Sequence, residues 1–569
     1  MRIGRNTCEK HYRKPKTFER SSRGVVIKDV STFFCTVEKL NNKETKKTYE
    51  TILWYFELIV KLGMLTVGFL EASSLTFGKP VVSIFLWPTV FGGGLVLLLR
   101  LIHWKEYWKS KNFFLLIAFC VSYLVSIVVN IRYGWYTNIR TLIWCAFLFF
   151  LVYCYKAEDS VEANQKQFKI LTVYYLIANA VLSILSFAFM ITGYNEIFYE
   201  EVGPIYYIGF HWGRLYGAYW DANIGAVMSC VSIILAAGYF LSNRTIAVRV
   251  LLILDAILQI FYIAFSDSRT GKLCLCVATT VYIFLVMRKK QNLQTEKQTA
   301  EESIATKNTR TVTIAILYAL VGLAVAFAIP SGIKKGYNAI SSVSNVKENE
   351  SATEALPNGS ETAQVALDGA QTDESTPYVE EQSGDATKGT EGNTEPVEQA
   401  QAEQIKEPQG LGRAEEYSDD ITNRRSDIWK SALEIFKTRP IIGITHNNVL
   451  SYVEENLPDS YLINNDHMKF ESMHNIFFDV LVGQGIIGLV IYLAMAVTFF
   501  IAIVKNWKSI VAARGVIGIS CFVILIAMVT SSFVMTEIVY VNSPMATVFW
   551  MAMSCLMQTA DQTKTVGKK

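Results

Sequence analysis

The chain has 569 residues, of which 51% are hydrophobic, and a formal net charge of only +3; its mean hydropathy is +0.28. So small a charge argues against a nucleic-acid partner, which would call for a concentrated basic face. The ten cysteines sit in apolar runs or in the N-terminal segment (Cys8, Cys35), which excludes a disulfide framework, and none has the His/Cys spacing of a zinc site.

In chain order, residues 1–50 are mostly polar, rich in Lys and Arg, and free of a cleavable signal pattern, so they read as a cytoplasmic segment. Twelve apolar runs follow, near 52–70, 81–99, 113–130, 139–155, 168–193, 216–241, 247–265, 270–287, 311–330, 473–504, 510–533 and 543–559. Runs of roughly 17–25 residues cross a bilayer as helix, which satisfies its own backbone hydrogen bonds in lipid. The joints "RLIHWKEYWKSK", "SNRTIAVR", "MRKKQNLQ" and "KNWKS", and the tail "KTVGKK", are basic. Counted from a cytoplasmic N-terminus they all fall inside, as the positive-inside rule requires. The expected fold is an all-α integral membrane protein of about twelve transmembrane helices. Nine lie in 51–330 and three in 472–559, with a large extracytoplasmic loop at 331–471 and a cytoplasmic tail at 560–569.

Charged groups near hydrocarbon are costly and mark functional candidates. In the first run, Glu57 and Lys61 lie one turn apart, as an ion pair near the inner interface or a transporter site. The stretch "HWGRLYGAYWDANIGAV" places Arg214, Asp221 and Asn223 at the outer start of the sixth span, either as a binding group or as ordinary interfacial polarity. "FSDSRTGKLCL" places Asp267, Ser268 and Arg269 in a very short outer turn. There Arg269 faces either lipid headgroups or a cavity.

The large loop has two parts. Residues 343–410 are acidic, nearly devoid of aromatics and rich in Glu, Thr, Ser, Gln and Gly, so disorder is expected. Residues 418–471 form the helical, functional part. There Ser426 or Asp427 can cap a helix with Ile428, Leu433, Ile435 and Phe436 on its apolar side, ended by Pro440 and Gly443. Arg424 and Arg425 at its start oppose the helix dipole, which points to an anion nearby.

The tenth span opens as "ESMHNIFFDVLVGQGIIGL". As a helix it puts His474 on one face with Phe477, Phe478 and Leu481, and Asn475 in line with Asp479. Gly483, Gly485 and Gly488 permit close helix packing. His446 and His467 lie in the same loop. Read singly, each polar residue has a structural explanation. Together, three arginine sites and a histidine fall on one side of one membrane. Arginine forks match phosphate oxygens, and a histidine beside them can accept a proton near neutral pH. The set suits a lipid-linked diphosphate and an acceptor hydroxyl.

The pieces "RLYGAYWDANIGA", "SDSRTG", "RSDIWKSALEIFKTRPIIGI" and "HNIFFDVLVGQGIIGL" resemble, in order and sidedness, the motifs of the O-antigen ligase and O-antigen polymerase superfamily over roughly 200–495. The resemblance implies a metal-independent, inverting glycosyltransferase of the bacterial plasma membrane that needs no cofactor and uses an undecaprenyl-diphosphate-linked donor. It implies that Arg269 and Arg425 engage the diphosphate and that His474 helps activate the acceptor. Arg214, Asp221, Asn223, Ser268, Arg424, Asn475 and His446 would line the substrate site. Ala222 and Thr270 depart from the family's usual Pro and Gly without removing a functional group. The implied partners are the lipid-linked oligosaccharide, a glycan or lipid acceptor, membrane lipids, and flippase and chain-length regulator proteins, with no nucleic acid. A polysaccharide polymerase is preferred on the envelope style of the composition. The alternatives are a ligase to a lipid, wall polymer or protein, and a flippase for lipid-linked sugars.

Overall fold

The computed structural model describes residues 43–156, 161–199, 205–295, 304–340, 424–465 and 469–566. The acidic insertion at 343–410, His467, nearly all of the N-terminal segment and the last three residues lie outside the described residues.

The first half of the chain folds as α1 (Lys43–Ala72), α2 (Pro80–Ile102), α3 (Phe113–Val129), α4 (Tyr136–Ala146, continued as a π-helical stretch to Tyr153) and α5 (Val161–Thr192). A small sheet of β1 (Glu196–Tyr199), β2 (Ile205–His211) and β3 (Arg214–Gly217) precedes α6 (Ala222–Ser242), α7 (Ile246–Ser266), α8 (Arg269–Thr295) and α9 (Ile304–Leu323). The helical path of α9 continues to Ile340, ten residues beyond the expected end at 330. The loop helices are α10 (Arg425–Thr438) and α11 (Val449–Asn456), followed by α12 (Ile476–Lys505), α13 (Trp507–Ser532) and α14 (Pro544–Val566).

Each of the twelve expected runs falls on a helix, and among the described residues ten helices are long and apolar enough to cross a membrane. The protein is a polytopic membrane protein. Helix α3 is a shorter apolar helix, and α14 lies outside those ten. In the bundle, α6 packs against α7, α8 and α13, and α14 packs against α13, α5 and the π-helical stretch. Glu57 is held by Arg100, through Nε to Oε1 and Nη2 to Oε2 at 2.8 Å each, while Lys61 donates to Gln167 at 2.8 Å.

The sheet was not expected. Strands β1 and β2 pair antiparallel from Glu196↔Ile208 to Tyr199↔Ile205, and β2 pairs with β3 at His211↔Arg214. The hairpin closes through Trp212 (φ 53°) and Gly213 (φ 67°), the two left-handed residues that a tight two-residue β-turn uses. The sixth apolar run therefore starts too early in the sequence reading. Its first residues are the end of β3, whose apolar side chains look like span.

The decisive local feature is a break in α12 at Gly485 (φ 64°, ψ −163°). A break inside a membrane helix strands backbone groups that hydrocarbon cannot satisfy. Here residues 440–445 lie against the gap. Ile444 N and Thr445 N donate to the carbonyls of Val482 and Gly483 at 2.9 and 3.0 Å, and Ile486 N donates to Pro440 O at 2.8 Å. A Cβ on Gly485 would stand 2.3 Å from Ile441 O, and one on Gly443 (φ 75°) 2.4 Å from Val482 O. Both positions need glycine for conformation and for space.

Gly485→Ala should therefore cost about 1–3 kcal/mol from backbone strain alone and lower the thermal midpoint of the detergent-solubilised protein. Gly332→Ala is the control, because nothing lies within 4 Å of the added methyl. Equal midpoints for the two variants in a thermal-shift measurement would contradict the packed-gap reading.

Candidate functional site

The first group of site residues is built around the start of α6. Asp221 caps that helix, its Oδ1 accepting from Asn223 N at 2.5 Å and Ile224 N at 3.1 Å. With its carboxyl so placed, Asn223 turns its own Oδ1 outward to accept from Arg214 Nη2 at 3.3 Å and Ser268 Oγ at 2.9 Å. The hairpin presents Arg214, whose Nε donates to Ser266 O at 2.9 Å. Ser268 caps α8 by accepting from Gly271 N at 3.0 Å. Arg214, Asn223 and Ser268, from three separate stretches, thus form one bonded chain. Arg269 follows at the first position of α8 and is exposed. Beside it Asp267 (φ 47°) binds Lys272 at 2.6 Å and Lys334 at 2.5 Å. Burial works to raise the Asp267 carboxyl, but the two lysines outweigh it and hold it below its ordinary value.

The second group comes from the loop. Helix α10 starts at Arg425 with Arg424 (φ 64°) as a left-handed N-terminal residue that makes no capping bond. The expected cap by Ser426 or Asp427 is not what is found: both lie inside the helix, and Asp427 pairs with Lys430 at 2.7 Å. The buried face is Ile428, Ser431, Ala432 and Ile435, whereas Leu433 is exposed. Trp429 fastens this helix to the mouth of α12. Its Nε1 donates to Met473 O at 3.1 Å and its ring stacks on Phe478 at 5.7 Å.

His474 does not belong to α12, contrary to the helical-face reading. It stands one residue before the cap, with φ 48°, in a turn stabilised by its own N–H donating to Ser472 Oγ at 3.1 Å. Asn475 is the cap, accepting from Phe477 N at 2.9 Å and Phe478 N at 3.4 Å, and it donates to Phe533 O at 3.0 Å. The His474 imidazole is held below its ordinary basicity, first by burial and then by the Arg425 charge; Asp479 and Asp221 work against that shift. Arg425 from the loop and Asp221 from the start of α6 therefore both bear on this ring. That electrostatic link joins the two groups.

His446 occupies a different setting. Its segment is riveted to α3, its C-cap and α4: Asn130 Nδ2 donates to Gly443 O at 3.0 Å, Ser126 Oγ lies 2.9 Å from Thr445 Oγ1, and Asn138 Nδ2 donates to Asn448 Oδ1 at 2.8 Å. The ring stacks on Tyr540 at 4.5 Å, with Nδ1 3.9 Å from Asp479 Oδ1. Burial lowers its basicity, and Asp479 opposes that.

Three residues at this site escape the sequence reading of function. Asp479, in the first turn of α12, is 1% exposed and accepts from Ser472 Oγ, Met473 N and Thr536 Oγ1. Tyr540 carries the His446 ring and accepts from Gln484 Nε2 at 2.5 Å. Glu537 is buried; its Oε2 accepts from Ser531 Oγ at 2.9 Å, and its Oε1 has no hydrogen-bond partner. Burial pushes its carboxyl up to about 8, Ser531 lowers it and the Asp221 charge adds to the rise, so Glu537 is largely neutral at pH 7. For Glu537 and Tyr540 the signal is the polar stretch "TEIVYVNSP" between two apolar runs. Among the described residues no cluster of three or more His, Cys, Asp or Glu has the arrangement of a metal site.

The helices and this one-sided polar cluster define a multi-pass membrane protein with a site at the junction of its bundle and its large loop. Residues 254–493, under half of the chain, match the family model described as O-antigen ligase, a match that supports the O-antigen ligase and polymerase superfamily. The matched segment contains Asp267, Ser268, Arg269, Arg424, Arg425, His446, His474, Asn475 and Asp479; it leaves out Arg214, Asp221, Asn223, Glu537 and Tyr540. No curated protein matches the chain. The family supports a membrane enzyme of the ligase or polymerase type, acting on lipid-linked glycans.

The anchoring of α10 is testable on its own. Trp429→Phe keeps the stack on Phe478 and loses one hydrogen bond, worth about 1 kcal/mol. Trp429→Ala loses both, at about 3–5 kcal/mol if the site does not collapse. Limited proteolysis should cleave within 424–440 slowly in wild type, slightly faster in the Phe variant and much faster in the Ala variant. Identical cleavage in all three would show that Trp429 does not hold the helix.

Proposed function

We propose that the protein transfers a glycan from an undecaprenyl-diphosphate donor to an acceptor hydroxyl on the extracytoplasmic face of a bacterial plasma membrane, as a surface-polysaccharide polymerase. The observation that carries the reading is the convergence on His474 of a cation from the loop helix, Arg425, with the cluster at the start of α6, marked by Asp221. A diphosphate needs fixed cations, and an acceptor hydroxyl needs a neutral base. Arg425 and the exposed Arg269 supply the first, with Arg424 next to Arg425 in sequence and Arg214 joined through Asn223 to Ser268, the neighbour of Arg269. His474, kept neutral by burial and by Arg425, supplies the second. In the reaction the acceptor O–H proton passes to the imidazole and the acceptor oxygen bonds to the anomeric carbon from the face opposite the leaving group. The electron pair of the broken C–O bond leaves with the polyprenyl diphosphate.

A ligase reading has its own support in the description of the matching family. The donor chemistry is the same, so the acceptor decides. Purified protein incubated with lipid-linked oligosaccharide alone should give a ladder of longer products if it polymerises; transfer only after a second acceptor is added would make it a ligase.

The sidedness rests on the basic joints. A cysteine introduced at Ser360 should react with an impermeant thiol reagent in intact cells, and failure to react at normal expression would invert the topology.

For the chemistry, general-base help is worth about a hundredfold to ten-thousandfold, so His474→Ala should keep donor binding and lose transfer by a factor in that range. Losing a charge-assisted contact to phosphate costs about 2–4 kcal/mol when the contact tightens in the transition state. Arg269→Ala and Arg425→Ala should therefore lose roughly thirtyfold to several-hundredfold in rate, and Lys should rescue poorly because it cannot fork. With the His474 imidazole held below its ordinary basicity, transfer should persist as pH falls below about 6.5 and fail only below the lowered value. A dead His446→Ala beside an active His474→Ala would move the base to the other ring.

A further inference from the structure

Asp479 is buried at the mouth of α12 but is not the residue that caps the helix. Asn475 already meets the first free N–H groups, at Phe477 and Phe478. The donors that reach the Asp479 carboxylate come instead from outside the helix. Met473 N reaches Oδ1 at 2.9 Å, Ser472 Oγ reaches Oδ2 at 3.1 Å, and Thr536 Oγ1 arrives from the joint between α13 and α14. Ser472 Oγ in turn accepts from the backbone N–H of His474. The left-handed turn that presents the ring is thus laced to one side chain, directly at Met473 and, through Ser472, at His474 itself. Burying a carboxylate is expensive unless its bonds are made, and this one is 1% exposed. A purely structural turn could be closed by an amide or a hydroxyl.

We propose that Asp479 is the positioning residue of the His474 base: its carboxylate fixes the turn Ser472–Asn475 and, as a buried negative charge bonded to that turn, supports the charge the ring takes on when it accepts the acceptor's proton. The proposal rests on the reading of His474 as the proton acceptor. The charged and titratable groups on His474 are Asp479 from α12, Arg425 from α10 and Asp221 ahead of α6. Behind Asp479 lie His446 at 3.9 Å and, stacked on it, Tyr540; Glu537 lies near Asp221. Arg425 disfavours the imidazolium and Asp479 favours it. The ring is left neutral at rest, with a fixed counter-charge for the moment it is protonated. His446 shares that counter-charge from the far side.

The test titrates histidine-labelled full-length protein in nanodiscs by NMR, assigning His474 among the six histidines of the chain by its loss in His474→Gln. Asp479→Asn keeps an oxygen for the Met473 N–H and removes the charge. The His474 titration should move to lower pH, and the acid limb of transfer should move with it. Misplacing a reacting group costs on the order of a hundredfold, so the plateau rate should also fall by tenfold or more. Arg425→Gln should move the titration the other way. If Asp479→Asn does not fold, Thr536→Val removes one donor from the same carboxylate from a different element, and should move the titration to higher pH. A His474 titration unchanged in both Asp479→Asn and Thr536→Val overturns the proposal. A titration that moves while the acid limb of transfer stays in place leaves Asp479 acting on His474 and rejects His474 as the base, so the two failures are told apart.

Discussion

A helix that breaks inside a membrane must find partners for its opened backbone, because hydrocarbon offers none. In α12 the break falls at Gly485, and the partners are the backbone groups of residues 440–445. Much else follows from that requirement. The loop is tied to the bundle at that point. Asn130, Ser126 and Asn138, from α3, its C-cap and α4, extend the tie, which fixes where His446 sits. The half of α12 before the break becomes a short, separately capped helix whose mouth opens on the site. Helix α10, just upstream, is then close enough for Trp429 to stack on Phe478 and for Arg425 to bear on His474. A loop free to wander could not hold Arg425 against His474.

Charge at the site is balanced by opposition. Around His474, a guanidinium and two carboxylates pull in opposite directions, and burial tips the ring toward neutrality. Glu537, on which the Asp221 charge acts, is buried with one oxygen lacking a hydrogen-bond partner and is largely neutral, which relieves the repulsion from Asp221. Asp267, by contrast, is wrapped by Lys272 and Lys334, which leaves the neighbouring Arg269 without a carboxylate partner from that turn.

Much of the architecture is legible in the sequence because lipid enforces it. Apolar runs of spanning length have little choice but helix, and the twelve runs fall on helices. The sheet before α6 is not legible, because β3 runs almost straight into the span, and only the Trp212–Gly213 turn between β2 and β3 marks the hairpin. The site residues are legible as types: arginines and a histidine at span ends stand out against hydrocarbon. Their geometry is not. His474 reads as a helix residue because "HNIFFDVL" has helical periodicity, whereas Asn475 takes the capping position and throws His474 into a left-handed turn. Asp479 reads as a neighbour of Asn475 and proves to be the acceptor for turn residues six and seven positions upstream and for Thr536, far along the chain. Contacts of that kind have no sequence period to betray them.

The central claim is that the loop and the bundle together form one site for a lipid diphosphate beside a neutral histidine. The most direct measurement is a cryo-electron microscopy structure of the protein in a nanodisc with undecaprenyl diphosphate bound. The account predicts the diphosphate against Arg425 and Arg269, on the side of α12 where His474 faces it, with Asp479 still behind the ring. A diphosphate bound away from both arginines, or one faced by His446 with His474 turned aside, would contradict it.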